Sequence, residues 1–269
     1  MSHFSGLRIL ITGAGSGIGA LMAEKLAHDG AEVIVSARRK EAAEDVCARI
    51  RRHGGVAHAM VLDVSKLGTF SAFRTRLHKA HGPIDVLINN AGVVFGGEFE
   101  RVDVKDHLNT FQINATGLMA LTHAFFEDLL QSPRGHLVNI ASASSYVGLP
   151  YGSTYAASKW AVLGFSESLR LELKERGIDN VAVTTVCPSY IDTGMFDGVR
   201  TPLLSPMLSP EKVVRAVLDG MRDREPLVQA PMIVKHIDLM KGTLPMPVWD
   251  FLAKATGMST SMKKWRGKH

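Results

Sequence analysis

The chain has 269 residues, 46% of them hydrophobic and 21% charged, with a formal net charge of +5. This composition excludes a disordered or fibrous protein, and the length suffices to bury a core without disulfides or a structural metal. With two cysteines and no Cys-x-x-Cys or His-x-x-x-His spacing, the sequence predicts a reducing compartment and no metal site.

The charge distribution argues against binding to nucleic acid. Residues 263–269 carry four basic side chains and no acidic one, so the net charge is largely confined to this tail. Nucleic-acid binding usually shows a distributed basic patch. No signal-like stretch precedes Leu7 and no run is long enough to span a membrane, so we expect a cytoplasmic protein.

Short β-branched and apolar runs alternate with longer amphipathic segments. The predicted strands are Arg8–Thr12, Glu32–Ala37, His58–Asp63, Asp85–Asn89, His136–Ala141, Val181–Val186 and Leu227–Val234. Most are continuously apolar, which is typical of strands buried on both faces of a parallel sheet. The pattern predicts an α/β protein with a doubly wound Rossmann fold, about seven parallel strands and helices on both faces. No linker divides residues 1–269, so we expect one domain.

A glycine-rich turn follows the first strand. It reads Thr12-Gly13-Ala14-Gly15-Ser16-Gly17-Ile18-Gly19 and precedes a helical segment. Glycines let the backbone approach a pyrophosphate closely, and the free amides of a helix N-terminus attract its negative charge. Although the spacing differs from Gly-x-Gly-x-x-Gly, this context predicts a dinucleotide-binding turn.

The second strand ends in Ser36-Ala37-Arg38-Arg39. An NAD-binding fold usually has an acidic residue here to accept a hydrogen bond from the ribose 2′-hydroxyl. A guanidinium instead pairs with a 2′-phosphate through two hydrogen bonds. Arg38 and Arg39 therefore favour NADP over NAD, the alternative being a solvated basic start to the next helix.

Tyr155 and Lys159 are four residues apart in the clearest predicted helix, Thr154–Arg176, which Gly177 ends. They share one helix face, where a positive charge lowers the pKa of a phenol. Ser142 follows the fifth strand at the sheet edge where doubly wound folds bind ligands.

Three further sequence motifs also indicate residues that could contact a ligand. They are Asn90-Ala91-Gly92 after the fourth strand, Asn114, and Pro188–Thr193 after the sixth strand. Each alone has a structural explanation as a turn or cap, but together with Ser142, Tyr155 and Lys159 they indicate a ligand site.

This arrangement resembles the single-domain short-chain dehydrogenase/reductase family from Leu7 to about Thr193. The resemblance implies a catalytic tetrad of Asn114, Ser142, Tyr155 and Lys159. It implies cofactor contacts from Thr12, Gly13, Ser16, Gly17, Ile18, Gly19, Asp63, Val64, Asn90, Ala91, Gly92, Pro188, Ile191 and Thr193. Asp63 would meet the adenine. Where the family has Pro-Gly, this chain has Pro188-Ser189.

Residues 187–196 look like the branch that contains retinol and hydroxysteroid dehydrogenases, which act on lipophilic alcohols. The resemblance implies hydride transfer between a nicotinamide and an alcohol or carbonyl carbon. Tyr155 would move the proton, Lys159 would lower the pKa of Tyr155 and hold the ribose, Ser142 would bind the substrate oxygen and Asn114 would position a water. Alternatives are a reductase of 3-oxoacyl groups on a carrier protein and a non-catalytic NADP-sensing protein.

Two apolar segments remain. Residues 194–210 predict either a lid over a lipophilic pocket, which we favour, or a surface connection. The C-terminal segment, 235–269, predicts a helix closing the substrate side or, as the less favoured alternative, a weak peripheral contact with an anionic membrane. The family resemblance further implies a homodimer or homotetramer.

Overall fold

The computed structural model describes residues 3–203, 205–231 and 233–267. Leu204 of the predicted lid, Met232 of the predicted seventh strand, and Lys268 and His269 of the basic tail lie outside these ranges.

Seven parallel strands form the central sheet. Their bounds are β1 Arg8–Thr12, β2 Glu32–Ala37, β3 Val56–Val61, β4 Val86–Asn89, β5 His136–Ile140, β6 Ala182–Pro188 and β7 Leu227–Ala230. The order across the sheet is β3-β2-β1-β4-β5-β6-β7. The chain runs outward from β1 in one direction and from β4 in the other, so the strand order reverses between β1 and β4. The predicted doubly wound fold is confirmed.

Helices cover both faces of this sheet. Their bounds are α1 Gly17–His28, α2 Lys40–Arg52, α3 Phe70–His81, α4 Val104–Phe111, α5 Leu118–Gln131, α6 Ser153–Glu175, α7 Pro210–Arg222, α8 Val234–Thr243 and α9 Met246–Ala255. Helices α1, α2 and α7 pack in one apolar cluster, and α3, α5 and α6 pack in another.

Alternate residues of each strand enter opposite clusters. On β1, Ile9 and Ile11 face the α1 side, whereas Leu10 faces the α3 side together with Leu87 of β4. All four side chains are fully buried. A strand covered on both faces has no solvated side, which explains why these segments are apolar at every position.

The ends of five strands differ from the prediction, those of β4 and β5 by one residue each. Edge strand β3 spans Val56–Val61 instead of the predicted His58–Asp63, and both of its end residues are exposed. Strand β6 extends to Pro188, which pairs with Ala230 of β7. Strand β7 stops at Ala230 because Pro231 follows and has no amide hydrogen to continue the ladder.

The long helix is close to its predicted bounds, and Gly177 follows its end with φ of 67°. The C-terminal segment differs from the single predicted helix. It forms α8, α9 and a short 3₁₀ turn at Met258–Thr260, because Pro245 interrupts the helical hydrogen bonds and starts the next helix. Among the described residues, no helix combines the length and apolar character that crossing a bilayer requires.

Candidate active site

A cavity of about 810 Å³ opens at the carboxyl ends of the strands, beside the reversal between β1 and β4. Most of the site residues predicted from the sequence lie on its wall. They are Gly13, Ser16, Gly17, Ile18, Gly19, Arg38, Arg39, Val64, Asn90, Ala91, Gly92, Tyr155, Lys159, Pro188, Ile191 and Thr193. The sheet edge thus brings together residues that are up to 180 positions apart in the chain.

Thr12, Asp63, Asn114 and Ser142 lie outside this wall. The Thr12 hydroxyl accepts hydrogen bonds from the amides of Asn90 and Ala91, at 3.0 and 3.1 Å. Thr12 therefore joins the end of β1 to the end of β4. The Asp63 carboxylate accepts hydrogen bonds from the amide and hydroxyl of Ser65, at 3.0 and 2.7 Å, and so holds the turn after β3.

The glycine turn has a backbone that other residues would strain. Gly13 and Gly17 have φ of 63° and 57°, in the left-handed region. A Cβ on Gly19 would collide with the Asn90 side chain and the Gly13 carbonyl. In the part of the chain that the structure describes, no side chain caps α1, so its first amides face the cavity mouth uncapped. Such a cradle fits a pyrophosphate.

The end of β2 carries the positive charge of this cavity. Arg38 and Arg39 are exposed and line it. Neither guanidinium has a hydrogen bond or an ion pair within residues 3–203, 205–231 and 233–267. Two unpaired guanidinium groups fit a phosphate, with which they can form charge-assisted hydrogen bonds.

Tyr155 is almost fully buried, and a hydrogen bond links its side chain to that of Ser142. Burial raises the pKa of the phenol to about 12, and the hydrogen bond with Ser142 offsets part of that rise. This differs from the prediction that the pair with Lys159 lowers this pKa. Loss of hydration disfavours the phenolate more than the surrounding groups favour it.

Lys159 is buried one helical turn further along α6. Its Nζ donates to the carbonyl of Ile140 at 2.8 Å and lies 5.7 Å from the centre of the Tyr155 ring. Burial lowers the pKa of this lysine to about 8, so the ammonium form still predominates at pH 7. The carbonyl at the end of β5 therefore fixes a positive charge beside the phenol.

Asn114 connects the helix that carries Tyr155 and Lys159 to the loop that follows β4. It lies in a π-helical turn, Gln112–Gly117, between α4 and α5. Its amide accepts from the Val93 amide at 2.8 Å and donates to the Val93 carbonyl and to the Ser158 hydroxyl. Ser158 in turn donates to the carbonyl of Tyr155 at 2.7 Å. Ser158 was not predicted as a site residue, and its position beside Lys159 on the helix was the available signal.

The end of the cavity around Tyr155 is apolar and aromatic. Tyr155 shares a buried cluster with Val94, Leu149, Phe196 and Met262. The Phe196 ring stands edge-on to Tyr155, with centroids 6.1 Å apart. Phe196 and its neighbour Met195 lie on the cavity wall, so the start of segment 194–210 covers the cavity.

The end of the chain packs against this covering segment, and we call residues 258–267 the C-terminal clasp. Trp265 Nε1 donates to the Met195 carbonyl at 2.9 Å, and the Arg266 amide donates to the Asp197 carbonyl at 2.7 Å. A Cβ on Gly96 would lie 3.0 Å from the Trp265 ring. The clasp therefore also packs against the loop that follows β4. These contacts bring Met262 to the apolar cluster that contains Tyr155.

Several wall residues had not been singled out. They are apolar or small side chains near strand and helix ends, namely Gly15, Ala42, Leu62, Val93, Val94, Ile113, Ile140 and Ala141. Such residues have no polar signature, and their strand-end positions were the only available signal.

Comparison with known proteins agrees with this geometry. The family profile described as short chain dehydrogenase matches residues 8–203. Epidermal retinol dehydrogenase 2 of Mus musculus is 35% identical over 262 residues, which cover 95% of this chain and 84% of that protein. Estradiol 17-beta-dehydrogenase 11 of Pongo abelii is 30% identical over 237 residues, which cover 88% and 79%.

Solved structures show the same fold. A short-chain dehydrogenase/reductase from Burkholderia phymatum in complex with NAD has a TM-score of 0.81 and 26% identity, covering 90% of this chain and 95% of its own. A metagenomic short-chain oxidoreductase in complex with NADP has a TM-score of 0.71 and 31% identity, covering 84% and 97%.

The chain belongs to the short-chain dehydrogenase family, in the branch of retinol and hydroxysteroid dehydrogenases. It is an oxidoreductase of the kind that acts on alcohol or carbonyl groups with a nicotinamide cofactor.

Proposed function

We propose that this chain interconverts a lipophilic alcohol and its ketone or aldehyde with NADP(H), using Asn114, Ser142, Tyr155 and Lys159. The observation that carries the proposal is the buried Tyr155 phenol, which is hydrogen-bonded to Ser142, lies beside the Lys159 ammonium and stands at the apolar end of the cavity.

The preference for NADP(H) rests on Arg38 and Arg39. Both guanidinium groups line the cavity one strand away from the glycine turn, where a 2′-phosphate would gain charge-assisted hydrogen bonds. When bound, the nicotinamide supplies or accepts the hydride. Related structures contain NAD or NADP, so the choice between them depends on this chain's own residues.

The protonation states favour Tyr155 as the acid in carbonyl reduction. Because its pKa is raised to about 12, the phenol holds its proton at neutral pH and can donate it to the substrate oxygen. The phenolate left behind is stabilised by the nearby Lys159 ammonium. Ser142 would hold the substrate oxygen, and Asn114 orients α6 through Ser158.

The lipophilic substrate is inferred from the walls near Tyr155. Val94, Met195 and Phe196 line the cavity there, and Leu149 and Met262 support them. Apolar walls favour an apolar substrate, because burial of its surface removes it from water. The names of the retinol and estradiol dehydrogenases that this chain resembles agree with such a substrate.

A test combines the variant Tyr155→Phe with a panel of aliphatic, aromatic and steroidal ketones and polar, hydroxylated ketones. The loss of the proton donor should lower kcat about 1000-fold on every active ketone while NADPH affinity stays nearly the same. Oxidation of NADPH is followed by absorbance, and NADPH binding by calorimetry.

Tyr151→Phe is the matched control, because it removes a phenol hydroxyl from a nearby tyrosine. It should retain most of the activity. Unchanged turnover in Tyr155→Phe would refute the catalytic assignment, and activity confined to polar ketones would refute the lipophilic substrate class.

A further inference from the structure

Three potential metal ligands meet at the edge of the sheet opposite the cavity. Glu32 is the first residue of β2, His58 lies near the start of β3, and His81 is the last residue of α3. In a parallel sheet, strand starts and strand ends lie at opposite edges. This cluster is therefore remote from Tyr155 and is not used by the proposed reaction.

The side chains converge on one carboxylate oxygen. Glu32 Oε1 lies 3.2 Å from His58 Nε2 and 3.9 Å from His81 Nδ1, and all three atoms lie within 4.8 Å of one another. The imidazole rings are stacked, with centroids 4.0 Å apart and planes inclined by 31°. In a tetrahedral zinc site, bonds of about 2.0–2.2 Å place ligand atoms roughly 3.3 Å apart. Small side-chain rotations would bring the three atoms to that spacing.

Arg8 holds the Glu32 carboxylate in this orientation. Its Nε and Nη2 donate to Oε2 at 3.0 and 2.9 Å, and its Nη1 donates to the Pro83 carbonyl at 2.8 Å. Oε1 is thereby left facing the two imidazoles. Hydrogen bonds to the other oxygen of a carboxylate are a common support for metal ligands. If Glu32 served only to form an ion pair with Arg8, neither histidine would be needed beside its Oε1.

We propose that Glu32, His58 and His81 bind a divalent transition-metal ion, Zn²⁺ by the chemistry of the ligands. Two imidazoles and one carboxylate suit this ion, with a fourth position for water. The side chains of Glu32, His58 and His81 are 26%, 33% and 17% exposed, so the ion can enter from solvent. The bound ion would link the starts of β2 and β3 to the end of α3.

The test is calorimetric titration of Zn²⁺ into the full chain after removal of metals with a chelator. One equivalent should bind per chain. His58→Gln and His81→Gln should each weaken binding about 100-fold or more, because loss of a mere supporting partner already costs about 10- to 100-fold. His28→Gln is the matched control, since His28 is exposed on α1, and it should bind like the unaltered chain.

Thermal unfolding gives a second readout. Zn²⁺ at about 100 times its dissociation constant should raise the unfolding midpoint of the unaltered chain by roughly 5 °C. It should leave the midpoints of His58→Gln and His81→Gln unchanged, and the metal-free variants should show the circular dichroism of the folded chain. Tyr155→Phe should bind Zn²⁺ normally, which separates this site from catalysis. Absence of saturable binding, or binding by the two histidine variants as tight as that of the unaltered chain, would overturn the proposal.

Discussion

Burial shifts the pKa values of Tyr155 and Lys159, at the apolar end of the cavity, in opposite directions. It raises the pKa of Tyr155 to about 12 and lowers that of Lys159 to about 8, so each shift favours the neutral form. At pH 7 the phenol is neutral, while the lysine, whose pKa still exceeds the ambient pH, remains largely charged. A neutral acid beside a fixed cation is suited to protonating a carbonyl oxygen.

We also expect the choice between NADPH and NADH to depend on two side chains, those of Arg38 and Arg39. Arg38→Leu should raise the KM for NADPH about 10- to 100-fold and leave the KM for NADH almost unchanged, because only NADPH loses a charge-assisted pair. Initial rates with both cofactors measure this, and Arg39→Leu apportions the effect between the two guanidinium groups.

Arg52→Leu is the control for the Arg38 experiment, because Arg52 is an exposed arginine at the far end of α2. It should change neither KM. Equal losses with NADPH and NADH in Arg38→Leu would show that Arg38 does not read the 2′-phosphate.

For single residues, the sequence predicts which side chains belong to the site better than it predicts how deeply they are buried or how their pKa values shift. Gly13, Arg38 and Lys159 could be singled out because their chemistry is evident from the residue and its position. The raised pKa of Tyr155 could not, because its burial depends on Phe196 and Met262, which approach it only through tertiary packing. The Glu32, His58 and His81 cluster was missed for the same reason, since its members share no sequence motif.

Among the elements, those defined by local periodicity were predicted and those defined by distant contacts were not. Helix α6 and the strands of the sheet core follow their own apolar patterns. The C-terminal clasp depends on hydrogen bonds such as that from Trp265 to Met195, 70 residues away in sequence. No local pattern in residues 258–267 specifies that contact.

The clasp is expected to limit the size of the substrate. Trp265→Ala removes a large ring and the hydrogen bond to the Met195 carbonyl, so the covering segment gains freedom near Phe196. We expect kcat/KM to rise about 10-fold for bulky ketones relative to small ones, with unchanged NADPH affinity. The ratio of kcat/KM for a steroidal and a short aliphatic ketone measures the effect.

Trp249→Ala is the matched control for the clasp, because Trp249 is also partly buried but packs against the cluster around Val234 and Ile237. Its kcat/KM ratio should stay close to that of the unaltered chain. A fall in activity by the same factor for both ketones in Trp265→Ala would indicate a loss of stability instead of a change in selectivity.

The surface of the whole molecule supports the proposal of a homodimer or homotetramer. Val104, Leu108 and Phe111 form an exposed apolar stripe along α4, and Trp160 and Leu171 are exposed on α6. The two helices are adjacent, since His107 hydrogen-bonds Thr154 at 2.7 Å. Covering these side chains with a second copy would remove their apolar surface from water.

Leu108→Glu should therefore shift the mass in solution toward the 29.2 kDa single chain. Buried in an interface, the new carboxylate would lose its hydration without a partner. Sedimentation equilibrium measures the mass. Leu203→Glu, at an exposed leucine of the covering segment, is the control and should leave the assembly intact. An assembly that survives Leu108→Glu would exclude α4 as the interface.

Two predictions about the surroundings of the molecule stay predictions, namely a cytoplasmic location and weak peripheral contact with a membrane. Helix α9 exposes Met246, Val248 and Phe251, so the C-terminal segment is only partly core, contrary to the interpretation favoured from the sequence. The nearby exposed Lys254, Lys263 and Lys264 are compatible with an anionic lipid surface.

The position of the clasp has a consequence for how this enzyme is synthesised. Because Met262 and Trp265 pack in and against the apolar cluster around Tyr155, this cluster is complete only after residues 258–267 have left the ribosome. The Rossmann sheet, which ends at Ala230, can assemble earlier, so fold and substrate chamber mature at different times during translation.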